Sequence, residues 1–295
     1  MTSLLTIRPV TPGFAAEASG VDLRQPVPPA LAAEIDAAMD RYGTLVFRDQ
    51  ALDDPTQRAF GEALGTIETS RATVDVEQAR LADKTINDIS NLAADGTILA
   101  ADARRRMFNL GNQLWHSDSS FKAVPAKYSM LHARVIPPRG GATEVADMRA
   151  AWDALDAEMQ EKLRDLVCEH SLLFSRAMLG FTEFTEAERA TFAPVRQRLV
   201  RFIPSTGRRS LYLSAHIGRI VGWPVPEALA LIRDLMEHAT ERRFVYSHKW
   251  RVNDLLIWDN RTTMHRGRPY DDKRYPRDMR RVTLTDVAST LQQAA

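Results

Sequence analysis

LLIWDNRTTMHRGRPY, residues 255–270, starts as an apolar run and ends in polar and turn-forming residues, with one histidine between the two parts. Its first part, DLLIWDN at 254–260, reads as a strand closed off by aspartates. Runs of the same kind recur outward from it: LLTI at 4–7, TLVFR at 44–48, YSMLHARVI at 128–136, SLYLS at 210–214, RFVYSHKW at 243–250 and RRVTLTD at 280–286. β-Branched and aromatic residues enrich them, and Gly, Pro or Asp separates them. Three helices are expected among the strands. The first spans about 28–41 with Leu31, Ile35 and Met39 as its core stripe. The second starts at Asp147 as N-cap and runs to about Cys168, with Trp152, Leu155, Met159, Leu163 and Leu166 on one side. The third covers about 225–240 and buries Leu229, Ile232, Leu235 and Met236. A shorter helix ends near Gly65. Early strands, helical insertions at about 147–240 and strands again do not alternate as βαβ units. A β-sandwich or barrel core with helices packed outside is expected, as a single domain over 1–295.

Composition narrows the function classes. The 295 residues carry a formal net charge of +1, with 44% hydrophobic and 26% charged residues, so there is enough apolar material to fold and too little net charge for disorder. No stretch approaches the ~20 apolar residues of a membrane span. MTSLLTIRPV lacks the basic and apolar regions of a secretory signal. A lone cysteine, Cys168, excludes an intrachain disulfide and a thiolate metal cage, and a reducing, cytoplasmic setting is expected. The balanced charge argues against nucleic acid as the main partner.

Of seven histidines, His132, His170, His238 and His248 read as packing or hydrogen-bonding residues. His116 differs because Asp118 follows two positions later. On an extended segment, residues i and i+2 share a face, so an imidazole and a carboxylate can bind one ion. A single His-x-Asp pair is weak evidence by itself, and a histidine hydrogen-bonded to an aspartate in a turn explains it equally. His265, just past the apolar strand, is the natural third ligand. Two histidines and one carboxylate on one side of an ion form the facial triad of non-haem Fe(II) oxygenases. The same three also suit a hydrolytic zinc site.

Residues 261–281 contain Arg261, Arg266, Arg268, Lys273, Arg274, Arg277, Arg280 and Arg281 against Asp271, Asp272 and Asp278, a local net of +5. A nucleic-acid patch is one reading. The alternative is that Arg277 and Arg281, four apart on a strand, both point into the barrel as guanidinium forks for carboxylates.

With GVDLRQP at 20–26, LVFRDQ at 45–50, DISNL at 88–92, NQLWHSDSSF at 112–121, the block from Pro125 to Leu155 containing GGATE, and WDNRTTMHRGRPYD at 258–271, nearly the whole chain resembles one family. This is the taurine dioxygenase/2,4-dichlorophenoxyacetate dioxygenase family of Fe(II)- and 2-oxoglutarate-dependent enzymes. LWHSDSSF, EHSLLFSR at 169–176 and PRDMRR at 276–281 are most similar to its phenoxyacetate-cleaving branch. The resemblance implies a mainly β fold with a double-stranded β-helix (jelly-roll) core and flanking helices, and Fe(II), 2-oxoglutarate and O2 as metal and co-substrates. It implies His116, Asp118 and His265 as iron ligands, and Thr143 and Arg277 as the hold on the distal carboxylate of 2-oxoglutarate. An extra residue in the KRYP loop leaves Arg274 as a competitor for Arg277. Arg281 matches the arginine that holds the acidic group of the oxidised substrate.

His216, at a pocket-edge position, together with Ser119, Asn112 and Arg71, is a further substrate-binding candidate. Arg71 lies in the loop Thr69–Thr73 that corresponds to a lid. That loop has no histidine of the kind that grips a sulfonate in taurine-type enzymes. Ser119 and Asn112 serve equally well as turn caps. Trp115, Trp152, Trp250 and Trp258 are expected in the core, Cys168 as an inert buried thiol at a helix end, and Arg104, Arg105 and Arg106 on a solvated loop. The implied reaction hydroxylates an aryloxyalkanoate next to its ether oxygen, giving a phenol and glyoxylate while 2-oxoglutarate becomes succinate and CO2. The alternatives are another small acid (an alkyl sulfonate, a sulfate ester or a natural aromatic acid), a zinc hydrolase, or a non-catalytic 2-oxoglutarate sensor. A small, acidic, aromatic substrate and an assembly of identical subunits are expected, with neither nucleic acid nor membrane as partner.

Overall fold

The computed structural model describes residues 4–69 and 80–293. Arg71 and most of the expected lid lie outside the described residues. The first part of the chain supplies β1 (Thr6–Thr11), β2 (Phe14–Ser19), α1 (Pro29–Tyr42), β3 (Thr44–Phe47), α2 (Asp54–Leu64), β4 (Asn87–Ser90) and the short α3 (Arg104–Asn109). β5 (Ala126–Val135) and β6 (Thr143–Asp147) follow. Residues 148–244 contribute α4 (Met148–Asp153), α5 (Ala157–Leu163), β7 (Val167–His170), α6 (Leu172–Ala177), α7 (Glu186–Thr191), β8 (Val195–Arg198), β9 (Val200–Ile203), β10 (Arg208–Leu211), β11 (Ile217–Ile220) and α8 (Val225–Ala239). The last strands are β12 (Val245–His248), β13 (Leu255–Asp259), β14 (Thr263–Gly267) and β15 (Asp278–Thr285).

The larger sheet runs β1-β2-β3-β13-β5-β15-β4 and is antiparallel except where β2 pairs with β3. A smaller sheet, β12-β6-β14, faces it. Side chains alternate across each strand, and this alternation sorts the core into layers. Val46, Leu131, Ala133, Leu256, Trp258 and Met279 of the larger sheet meet Val145 and Tyr246 of the smaller one inside the roll. The opposite face of the larger sheet, with Leu45, Met130, Ile257 and Val282, is covered by Leu31, Ile35 and Met39 of α1 and Phe60 of α2. Ala146 and Met264, on the outer face of the smaller sheet, pack against α4 and α8. β13 is buried on both faces, which is why its sequence is an unbroken apolar run. This is the jelly-roll core with flanking helices that the sequence led us to expect.

Several local expectations are corrected. The helix expected from Asp147 to Cys168 is two helices and a strand. Asp147 does cap α4, accepting from the Arg149 and Ala150 amides, but Asp156 then caps a second helix by accepting from the Met159 amide. A side-chain cap inside an apolar repeat restarts the helix rather than continuing it. Cys168 lies within β7, paired on both sides, and burial pushes its thiol up to about 12. The buried stripe of α8 is Ala228, Leu231, Ile232, Leu235 and Ala239, so Leu229 and Met236 flank it. The three consecutive arginines begin α3 and are all paired: Arg104 with Glu188, Arg105 with Asp88 and Arg106 with Asp272.

Two structural histidines make the fold acid-sensitive. His132, on β5, contacts the Gln50 carbonyl through Nε2, and burial lowers its pKa to about 4. His170, on β7, stacks on Tyr212, and burial lowers its pKa to about 3. Both titrate near 6.5 when unfolded. The unfolded chain therefore binds more protons below that pH, and the stability each neutral ring contributes is lost as pH falls from about 6.5 toward the folded value. The thermal midpoint is expected to drop steadily between pH 7 and pH 4. In His170→Phe, which keeps the stacking ring without the proton site, that slope should be shallower. An unchanged slope in this variant would remove His170 from the account.

Candidate metal centre and adjoining cavity

His116 and His265 are neighbours through a single antiparallel bridge. The His116 amide donates to the His265 carbonyl at 3.0 Å, and the His265 amide donates back at 2.9 Å. His265 is carried by β14, the strand that follows the apolar run, and its ring sits 4.2 Å from that of His116. Asp118 closes the group. One carboxylate oxygen lies 3.7 Å from His116 Nε2 and the other 3.7 Å from His265 Nε2. Ligand atoms of all three fall within 4.8 Å of one another.

The His116 Nδ1–H donates to the Leu114 carbonyl at 2.7 Å, which leaves the Nε2 lone pair facing the group. Burial lowers the pKa of both histidines, and for His265 the neighbouring His116 adds to the effect, so both rings are neutral. Burial by itself would raise the Asp118 carboxyl. The Arg281 guanidinium, with the Ser129 hydroxyl, outweighs it and holds the group well below the usual carboxylate range. Two neutral imidazoles and one carboxylate, all buried and convergent, are the donor set of a divalent transition-metal ion. The residues present therefore fit Fe(II).

The supports of Asp118 escaped the sequence reading. Ser129 Oγ donates to Asp118 Oδ2 at 2.7 Å, and Asn260 Nδ2 donates to Ser129 Oγ at 3.0 Å. Asn260 Oδ1 accepts from the Asp118 amide at 2.9 Å and from Trp258 Nε1 at 3.2 Å. Trp258 in turn packs its ring 4.3 Å from that of His265. It is thus a core aromatic, as expected, and also a wall of the centre. Asn260 stood in the WDNR motif, but nothing local to the motif shows that its amide bridges two other segments.

A cavity of about 160 Å3 adjoins the centre, and His265, Thr143, Trp258, Arg277 and Arg281 are among its lining residues. Thr143 opens β6, and its Oγ1 accepts from Trp250 Nε1 at 3.1 Å, so the hydroxyl proton is free to donate. The preceding Gly140 has φ +76°, and a Cβ there would lie 2.7 Å from the Pro269 carbonyl oxygen. Glycine is what allows this loop to pack against the segment leading to Arg277. Arg277 has no carboxylate partner among the described residues, its Nε is unpartnered, and burial lowers its pKa to about 10. An uncompensated guanidinium lining a cavity is a place for an anion. Arg274 is exposed over the ring of Tyr275 and takes no part in the cavity. Arg281 donates to Asp118 Oδ1 at 2.6 Å.

The basic cluster therefore divides. Arg261, Arg266 and Arg280 are neutralised by Asp259, Glu144 and Asp278, whereas Arg277, at the end of the loop before β15, and Arg281, on β15, both line the cavity. Among the remaining candidates, Asn112 lines the cavity. His216 is not a surface histidine but is buried next to the centre: its ring lies 6.0 Å from that of His116, and its Nδ1 is on Ser175 Oγ. Ser119 adopts φ +53° and its hydroxyl donates to Glu68, which is a turn role.

A family profile described as taurine catabolism dioxygenase TauD, TfdA family matches residues 6–283. The chain is 45% identical over 280 residues to the alpha-ketoglutarate-dependent 2,4-dichlorophenoxyacetate dioxygenase of Cupriavidus pinatubonensis, covering 95% of this chain and 97% of that one. It is 33% identical to the (S)-phenoxypropionate/alpha-ketoglutarate-dioxygenase of Sphingobium herbicidovorans, over 92% of each chain. Among solved structures it is similar to AAD-2 in complex with Mn(II) and N-oxalylglycine, with a TM-score of 0.94 and 53% identity, covering 98% of this chain and 100% of that one.

Proposed function

The chain belongs to the TauD/TfdA family of dioxygenases, and from that membership we propose that it hydroxylates an aryloxyalkanoate at the carbon next to the ether oxygen. The observation that supports this reading best is the meeting, in one cavity, of His265 with Thr143, Arg277 and Arg281. The enzyme is an Fe(II)- and 2-oxoglutarate-dependent oxidoreductase. In this proposal His116, Asp118 and His265 hold the metal. Once bound, Fe(II) with 2-oxoglutarate and O2 supplies the oxidation, releasing succinate and CO2. Arg277 pairs with the distal carboxylate of 2-oxoglutarate, and the free Thr143 proton donates to it.

Arg281 takes the carboxylate of the second substrate. With that carboxylate fixed beside Asp118, the adjoining carbon is held toward the metal centre, so orientation rather than acid–base chemistry is the contribution of the side chains. For an aryloxyacetate, hydroxylation there gives a hemiacetal that splits to a phenol and glyoxylate without a general base. Asn112 lies where it can contact the substrate, and Arg71 and His216 complete the proposed contacts. The proposal also takes in one domain over 1–295, an assembly of identical subunits and a cytoplasmic setting. Among the described residues no helix is long and apolar enough to cross a membrane.

The test is succinate release by anaerobically iron-loaded protein given 2-oxoglutarate, ascorbate and O2 with phenoxyacetates, phenoxypropionates, cinnamate-like acids or taurine. Succinate stimulated by an aryloxy acid, with phenol in equal amount, is the expected result. Stimulation by taurine alone would transfer the activity to sulfonates. No succinate above the iron-free blank with any acid would sink the proposal.

A further inference from the structure

β15 begins only after a loop that leaves the smaller sheet past Gly267, and Arg277 stands at the end of that loop. The side chain of Asn91, which follows β4 and is 6% exposed, fills the inside of the loop. Its Nδ2 donates to the carbonyls of Asp272, at 2.7 Å, and Tyr275, at 3.0 Å. Its Oδ1 accepts from the Arg277 amide at 2.8 Å, and its own amide donates to the Arg277 carbonyl at 3.3 Å. Two carbonyls on one side and an N–H on the other leave the carboxamide one orientation. From α3, Arg106 forks onto the Asp272 carboxylate, with Nε and Nη2 at 2.9 and 3.0 Å.

The loop is therefore gripped largely through its backbone at 272, 275 and 277, independently of the KRYP side chains between. The grip also answers an energetic difficulty. A desolvated guanidinium without a counter-charge is unfavourable, and Asp271 and Asp272 lie close by in sequence. A slack loop would let Arg277 turn out to water or to one of these carboxylates.

We propose that Asn91 is the positioning residue for the arginine that anchors 2-oxoglutarate: by clamping residues 272–277 it keeps the Arg277 guanidinium in the cavity, ready for the co-substrate. This rests on the reading of Arg277 given under Proposed function. The experiment is calorimetric titration of 2-oxoglutarate into anaerobic Fe(II)-loaded protein, for wild type, Asn91→Asp, Arg277→Met and the double variant, with Fe(II) affinity measured separately. Asn91→Asp keeps the shape but loses both donors. Its 2-oxoglutarate affinity is expected to fall by about tenfold to a hundredfold, the scale of a misplaced binding group, with Fe(II) affinity unchanged.

Because the clamp acts only through Arg277, the double variant should bind no more weakly than Arg277→Met. Equal losses from Asn91→Asp in both backgrounds, or none in either, overturn the clamp. Wild-type affinity in Arg277→Met overturns the arginine's assigned role instead. Should Asn91→Asp fail to fold, Asn91→Ser, which cannot span the loop, takes its place in the same cycle.

Discussion

Asp118→Ala protein is expected to fold, to bind no Fe(II) at concentrations that saturate the wild type, and to release no succinate. Asp118 is the only carboxylate in the group, and it lies 3.7 Å from the ring nitrogens of both His116 and His265. Without it two neutral imidazoles remain, facing the cationic Arg281 that had been paired with the lost carboxylate. The charge at the site then changes from balanced to positive, which opposes any cation. Losing an outer partner of a metal ligand commonly costs about 10–100-fold in affinity. Removing the ligand and exposing a guanidinium in its place must cost more. Metal analysis after desalting, alongside succinate assays, is the check. Stoichiometric iron and robust turnover in Asp118→Ala would remove the triad from the mechanism.

Arg281→Ala and Arg277→Met should separate the two acids that the enzyme handles. A desolvated charge pair with one partner truncated loses about 2–5 kcal/mol. Arg281→Ala is therefore expected to raise the KM of the aryloxy acid by on the order of a hundredfold, with a far smaller effect on 2-oxoglutarate. Arg277→Met should do the reverse. Arg281 also donates to Asp118, so its loss will weaken iron as well. The comparison must therefore be made at saturating metal, reading the two Michaelis constants against each other. If Arg281→Ala moves both constants equally, its contact with Asp118 is its whole role and the substrate carboxylate binds elsewhere.

Much of this site could be read from the chain. His116 and Asp118 are two residues apart, so local geometry brings them to one face, and Arg277 and Arg281 flank the start of one strand and both line the cavity. The central strands were visible because both their faces are buried. Less visible were the short strands such as β6 and β14, whose polar residues at 143–144 and 265–267 serve the site rather than the core. The helix expected over 147–168 failed for a related reason. Its apolar spacing was correct for burial, yet the Asp156 cap, worth about 1 kcal/mol, is a local event that periodicity does not register.

What the sequence determined by itself is the chemistry on offer: three candidate metal donors of two kinds and two guanidinium forks, because the kind of donor and its neighbours within a few residues are written in the chain. The tertiary structure alone decided their assembly. The bridge between His116 and His265, the Asn260 carboxamide joining Asp118 to Ser129, and the hold of Asn91 on the Arg277 loop are hydrogen bonds between segments far apart in sequence. Such bonds are set by strand register and loop path, and register follows from how the buried faces of the whole roll are matched rather than from any local pattern.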